Sequence, residues 1–321
     1  MVTHGDGMPQ QQLEPWFLSL AALGALYLAA AAFRLLAHLA VCLRRPTELR
    51  RRYGAWAVVT GPTSGIGRSM ALELARRGLN LVLVGRDPAK LRDISERLVS
   101  AHGVKTKTVV FDFALTSTPQ GDEAARRLRD AVDGLDVGVL VNNAGVAKPC
   151  AVYLHEFDVE AWVRMVRVNL WALTEVTAAV LPGMVARGRG AVVNIGSGST
   201  EAIPSFPLYS IYRYQTAPLF VDTKMASSVT KSKRSSPFVP SSDAYARAAV
   251  RWIGRGPLCV PNAGHRLQAC LCVTVPDRVH DWLRLREHLR QRALFQRLRA
   301  ARGAPPRTTT TTESEASRDT S

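Results

Sequence analysis

The sequence predicts an α/β fold, a doubly wound parallel sheet, preceded by a membrane-spanning helix. Three observations carry this. From Tyr53 onward, short apolar runs alternate with amphipathic stretches, the pattern of parallel strands joined by helices. The apolar runs are rich in Val and Leu without period-two alternation, as in strands covered on both faces. Ahead of them, Trp16 to Leu43 is an apolar stretch in which Phe17 to Phe33 holds no charge.

The chain has 321 residues, 47% of them hydrophobic. A sizeable core can be buried, which excludes a wholly disordered chain. The net charge of +16 suits anionic partners: phosphate-bearing cofactors or substrates, an anionic lipid surface, or nucleic acid. Five cysteines without a CxxC pair argue against a disulfide scaffold or a structural zinc site and fit a reducing compartment. The histidines are scattered, so no metal site is expected.

A spanning helix needs about 20 residues. Residues 16–43 reach that length if Arg34 snorkels toward a head group. Asp6 and Glu14 precede the stretch; Arg44, Arg45, Arg50, Arg51 and Arg52 follow it. A cleaved signal peptide has a basic amino end and a shorter apolar core. The positive-inside bias puts residues 1–15 in a lumen and everything after 43 in the cytosol, giving a single-pass anchor. A buried or interfacial helix is the other reading.

The strands are expected at Trp56–Thr60, Leu79–Gly85, Lys107–Phe111, Val137–Val141 and Ala191–Ile195. The helices between them are expected at Gly65–Arg77, Pro88–His102, Glu123–Val132 and Val159–Arg187. The first turn reads Thr60-Gly61-Pro62-Thr63-Ser64-Gly65-Ile66-Gly67. Its glycines let the chain pass tightly from strand to helix and let a phosphate approach backbone N–H groups at the helix's positive end. Between the first strand and first helix of a βαβ unit, this is the Rossmann-type signature of a dinucleotide site. An acidic residue at the end of the second strand would bind a ribose 2′-hydroxyl. Gly85-Arg86 stands there instead, nineteen residues after Gly67. A guanidinium at that place pairs with a 2′-phosphate, which favours NADP(H). A solvated loop arginine is the alternative, and Asp87 follows directly.

The fourth strand ends in Asn142-Asn143-Ala144-Gly145. With the TGxxxGIG turn upstream, residues 53–254 resemble the short-chain dehydrogenase/reductase family. A closer likeness is to the microsomal very-long-chain 3-oxoacyl-CoA reductases of fatty-acid elongation, particularly the plant form. It rests on the N-terminal anchor, NIGSGS at 194–199, PLYSIY at 207–212, TKMASS at 223–228 and FVPSSDAYARAAVRWIG at 238–254. Microsomal 17β-hydroxysteroid dehydrogenases are similar too. The resemblance implies NADPH as cofactor and an acyl-CoA substrate at the endoplasmic reticulum membrane. It implies partners too: a condensing enzyme, a dehydratase and an enoyl reductase. It also implies residue roles. Gly61, Ser64, Gly65 and Gly67 would line the pyrophosphate, Ile66 would lie under the nicotinamide, and Arg86 would bind the 2′-phosphate. Asp112 would contact adenine, while Asn143, Ala144 and Gly145 would line the ribose. Asn169 would hold a relay water, and Ser197, or Ser199, would bond the substrate carbonyl. Tyr212 would donate the proton and Thr223 would meet the nicotinamide amide. Hydride addition to the ketone carbon leaves an alkoxide, which Ser197 and Tyr212 would stabilise and Tyr212 protonate.

One departure stands out. The family carries a lysine four residues after this tyrosine, whose ammonium favours the phenolate; here Thr216 occupies that place. Pro218-Leu219-Phe220-Val221-Asp222-Thr223 already matches the family's stretch beyond its sixth strand. Five residues between Tyr212 and Pro218 hold little more than one helical turn, and Pro204, Pro207 and Pro218 break any longer helix. The lysine-bearing helix and most of the sixth strand are therefore missing near 213–217. Apolar surface should be exposed on one sheet face, and dimerisation is left open. The chain is then an impaired reductase, or a product from which splicing or a gene model dropped a segment.

Residues 255–303 form a basic region. Asp281 to Gly303 holds seven arginines and five leucines, either a basic amphipathic helix on the membrane face or a solvated helix. No aromatic interleaving accompanies the charge, so nucleic acid is not an expected partner. Residues 304–321, with two prolines and five consecutive threonines, read as a disordered tail.

Overall fold

The computed structural model describes residues 15–43, 47–147, 156–196, 238–255 and 277–301, together with Tyr153, residues 221–223, Met225, Ser236 and residues 264–265. It divides into two units, Met1–Pro46 and Thr47–Ser321.

The first unit is helix α1, Pro15–Leu43. Trp16–Phe33 has a mean hydropathy of 1.9, and none of it is buried within the chain. Eighteen residues at 1.5 Å each make about 27 Å, close to the thickness of a hydrocarbon core.

The second unit is a five-stranded parallel sheet: β1 (Trp56–Thr60), β2 (Asn80–Gly85), β3 (Thr106–Val110), β4 (Val137–Asn142) and β5 (Ala191–Asn194). The spatial order is β3-β2-β1-β4-β5. After the short α2 (Leu49–Arg52), the helices are α3 (Gly65–Arg76), α4 (Pro88–His102), α5 (Pro119–Val132), α6 (Val159–Val166), α7 (Ala172–Ala186), α8 (Ser242–Trp252) and α9 (Asp277–Ala301). Because β1 sits at the centre, the sheet winds outward in both directions, and the strand order reverses between β1 and β4. There the carboxyl ends open a crevice.

Local chemistry fixes the ends. Asp87 caps α4 by accepting from Ala89 N and Lys90 N, Pro88 starts it, and Gly103 stops it at φ 65°. α5 begins four residues before the expected Glu123, because Thr118 accepts from Gly121 N and Pro119 fits the first turn. The expected long helix 159–187 is instead two helices joined by a π turn over Arg167–Trp171. β3 also departs from expectation. As an edge strand it leaves Lys107, Thr108 and Val110 exposed, so the two-sided burial read from composition holds only for β1, β2 and β4.

Two cores flank the sheet. One joins α3, α4 and α8 through Met70, Leu74, Leu91, Leu98 and Tyr245. The other joins α5 and α7 through Leu128, Val176, Val180 and Met184, with Phe111 and Phe113. Each fully buried side chain of this kind contributes about 1.5–3 kcal/mol. α8 is locked onto α3 by Ser69, whose hydroxyl donates to Asp243 Oδ1 at 2.5 Å. Of the expected sixth strand, the described residues hold one bridge, Asp222 beside Ser241. α9 is docked rather than wholly solvated. Arg292 makes a forked ion pair with Glu156 and lies 4.5 Å over the Tyr153 ring, and Phe295 packs 5.9 Å from Phe157.

Candidate functional site

The site is built on the carboxyl ends of β1 and β4. Thr60, the last residue of β1, is 3% exposed. Its hydroxyl oxygen accepts from Asn143 N at 2.9 Å and Ala144 N at 3.0 Å. Asn143 returns the contact, its amide donating to Thr60 O at 3.1 Å and Gly61 O at 3.3 Å. The Gly-rich turn and the Asn-Asn-Ala-Gly turn are thus one hydrogen-bonded unit. Gly61 takes φ 65°. At Gly67 an added Cβ would collide with Asn143 Nδ2 and Gly61 O, so both positions need glycine for physical reasons.

The amino end of α3 is left open. Ser64 is its N-cap residue but makes no side-chain cap bond, whereas Asp87, Thr118, Asp158 and Ser241 cap α4, α5, α6 and α8. The donors of the first turn of α3 therefore receive nothing from the residue that usually satisfies them, which suits an anion at a positive helix end. Thr223 stands over this point: a Cβ on Gly65 would lie 3.3 Å from Thr223 Cγ2. A residue far along the chain is thus brought against the first turn.

At the end of β2, Arg86 is exposed. The neighbouring Asp87 is committed elsewhere, capping α4 and holding Lys90 Nζ at 2.6 Å. The Lys90 ammonium keeps its carboxyl below the usual range. The acidic neighbour is therefore turned into helix structure, leaving Arg86 as the cation at this corner. Asp112 Oδ1 accepts from Ala114 N at 3.0 Å and starts a 3-10 turn at Phe113.

Asn169 lies inside the π turn. Its Oδ1 accepts from Val146 N and its Nδ2 donates to Val146 O, both at 2.8 Å. The side chain is thus a clamp on the segment leaving β4, one residue past Gly145. Asn142 reaches sideways, donating to Thr177 Oγ1 at 3.0 Å and Asn194 Oδ1 at 2.9 Å. The roles of Thr60, Asn142 and Asn194 were not read from sequence. The signal available was their position, each the last residue of a strand. Ser197, Ser199, Tyr212 and Thr216 lie outside the described residues.

A binding crevice for a phosphorylated dinucleotide at the reversal of a doubly wound sheet defines a class of oxidoreductase scaffold. The chain belongs to the short-chain dehydrogenase family: the model for "short chain dehydrogenase" matches residues 55–212, ending at the tyrosine where the sequence departs from the pattern. It is 41% identical to a very-long-chain 3-oxoacyl-CoA reductase-like protein of Arabidopsis thaliana, over 78% of this chain and 86% of that one. It is 32% identical to a very-long-chain 3-oxoacyl-CoA reductase of Rattus norvegicus, over 66% and 73%. It is also 33% identical to the human inactive hydroxysteroid dehydrogenase-like protein 1, over 73% and 76%. Among solved structures, a short-chain dehydrogenase from Sphingobium yanoikuyae in complex with NADPH superposes with a TM-score of 0.56 at 25% identity, covering 69% of this chain and 96% of that one.

These alignments contain positions without a counterpart in this chain. The Arabidopsis alignment runs over 277 positions but takes in 78% of this chain, about 250 of its 321 residues, so about 27 positions have no residue here. The rat alignment runs over 237 positions against about 212 residues, leaving about 25.

Proposed function

We propose that this chain is an NADPH-dependent reductase of very-long-chain 3-oxoacyl-CoA, anchored in the endoplasmic reticulum membrane with its folded unit in the cytosol, and that its proton-transfer step is weakened by the missing lysine. The observation that carries the cofactor reading is the uncapped start of α3 beside an exposed Arg86 whose acidic neighbour is already spent. NADPH supplies the hydride when bound. The N–H groups at Gly65, Ile66 and Gly67 receive the pyrophosphate, Arg86 holds the 2′-phosphate, and Asp112 lies at the adenine side. Thr60 and Asn143 keep the two turns in register, and Asn169 fixes the β4 exit through Val146. Tyr212 supplies the proton and Ser197 bonds the ketone oxygen. The substrate class and the elongation partners (condensing enzyme, dehydratase and enoyl reductase) follow from the named relatives, and α1 supports the membrane reading. A positioned acid–base group contributes about 10²–10⁴ in rate, so turnover should fall below that of a lysine-bearing relative by a factor in that range.

A second reading, favoured by Thr216 and by the human relative named inactive, is a cofactor-binding protein without turnover. A third is a 17β-hydroxysteroid or other carbonyl reductase. Microsomes carrying the chain, given NADPH and a long 3-oxoacyl-CoA, should oxidise NADPH above empty-vector background. Background-level oxidation with retained NADPH binding would establish the second reading, and faster oxidation with a ketosteroid the third.

A further inference from the structure

A ring of contacts closes beside the first turn of α3. Ser69, one turn past Gly65, is 5% exposed. Its hydroxyl donates to Asp243 Oδ1 at 2.5 Å, and Ser242 Oγ lies 3.0 Å from the same oxygen. Both partners stand in the first turn of α8, which Ser241 caps by accepting from Ala244 N at 3.2 Å. Just ahead of that cap, Pro240 O accepts from Asp222 N at 3.0 Å, and Asp222 bridges Ser241 in parallel register. Val221 is buried in the core that holds Tyr245 and Ala246 of α8. Two residues on, Thr223 returns to α3 against Gly65. Residues 221–223 thus rest on the start of α8, and α8 is bonded to α3 at Ser69.

We propose that Ser69 and Asp243 are a positioning pair for the nicotinamide end of the cofactor, acting through Thr223. The proposal rests on the NADPH reading above, in which Thr223 meets the nicotinamide amide. A hydroxyl-to-carboxylate bond is charge-assisted and short, and this carboxylate sits in the first turn of α8, at the helix's positive end. The bond is also directional. It therefore fixes α8 along α3 more narrowly than the apolar contacts of Met70, Leu74 and Tyr245, which have no direction of their own. The rest of the site is held independently. Thr60 and Asn143 tie down the Gly-rich turn, and the Asp87 cap of α4 holds the corner of Arg86; none of these belongs to the ring. Loosening the pair should therefore displace Thr223 and leave the phosphate and adenine contacts in place.

The test titrates the full chain, in folding-compatible detergent, with NADPH and with 2′-phospho-ADP-ribose, which lacks the nicotinamide. Ser69→Ala and Asp243→Ala should each weaken NADPH on the order of tenfold, as for loss of one charge-assisted hydrogen bond, and change 2′-phospho-ADP-ribose by less than about twofold. The double variant should match the single ones, because the two side chains act as one bond. Without any cofactor, amide exchange at Asp222 should quicken on the order of tenfold in both variants, since its bond to Pro240 depends on the placement of α8. Equal weakening of both ligands, as a general loss of structure would give, overturns the proposal. So do losses that add in the double variant, or wild-type values for Asp222 exchange and NADPH affinity. The NADPH reading fails separately, in an unmodified chain that binds neither ligand, and the proposal then falls with it.

Discussion

β4 and β5 are hydrogen-bonded neighbours in one sheet, yet every residue of β4 is buried and none of β5 is. Around β4 the structure is closed: β1 pairs with it, α7 covers it, Thr60 and Asn143 tie its end to the Gly-rich turn, and Asn142 bonds to Thr177 of α7 and Asn194 of β5. Around β5, Val192, Leu181 and Val185 are 39%, 43% and 68% exposed, and an open depression runs between them and Tyr53, Met184 and Arg189. The difference teaches that the Gly-rich turn and the Asn-Asn-Ala-Gly turn are held at the enclosed centre of the sheet, while the β5 side is open. On the proposed reading, the first four strands with their helices carry cofactor binding, and the departure at Thr216 bears on proton transfer alone.

The sharpest way to break the binding half is Gly67→Ala. The added methyl meets Asn143 and the Gly61 carbonyl, so stability should drop by about 3 kcal/mol and NADPH binding should be lost, read by denaturant unfolding and cofactor fluorescence. Glu73→Gln follows. Burial pushes this carboxyl up, but bonds from Arg76 and Arg77 prevail and hold it below its ordinary value. A depressed folded-state value stabilises above the unfolded-state pKa and is lost as pH falls through the folded one. The variant should therefore lose about 2 kcal/mol near neutrality and show a flatter stability curve toward acid. A paired test targets the two strands themselves. Val141→Ala should cost about 2 kcal/mol and Val192→Ala less than half of that; equal costs would mean that β5 is as enclosed as β4. Smallest in stability is Arg86→Ala, on an exposed side chain. It should weaken NADPH on the order of tenfold and leave NADH unchanged, checked by competitive titration.

Much of this was legible in the sequence, and the rest failed for identifiable reasons. The strands with strong Val and Leu runs fall where the pattern put them, β1 to the residue, because burial on both faces leaves an unbroken apolar run. β3 misled because its edge position is a property of topology, which Thr106–Val110 does not encode. The start of α5 was hidden because Thr118-Pro119 reads as a loop until a cap bond is seen. The π turn at Arg167–Trp171 leaves no mark in the apolar pattern. In the site, the glycines and the Asn-Asn-Ala-Gly turn announced themselves by type. The Thr60 clamp did not, since a threonine at a strand end is also an ordinary strand residue. The docking of α9 was invisible because Glu156 and Arg292 are 136 residues apart.

The central claim is that the binding half is complete without the crossover. Titration of the full chain in folding-compatible detergent, with NADPH and NADH followed by nicotinamide fluorescence, tests it directly. Saturable NADPH binding, at least about tenfold tighter than NADH, is the predicted result. No saturable binding of NADPH, or tighter binding of NADH, would contradict it.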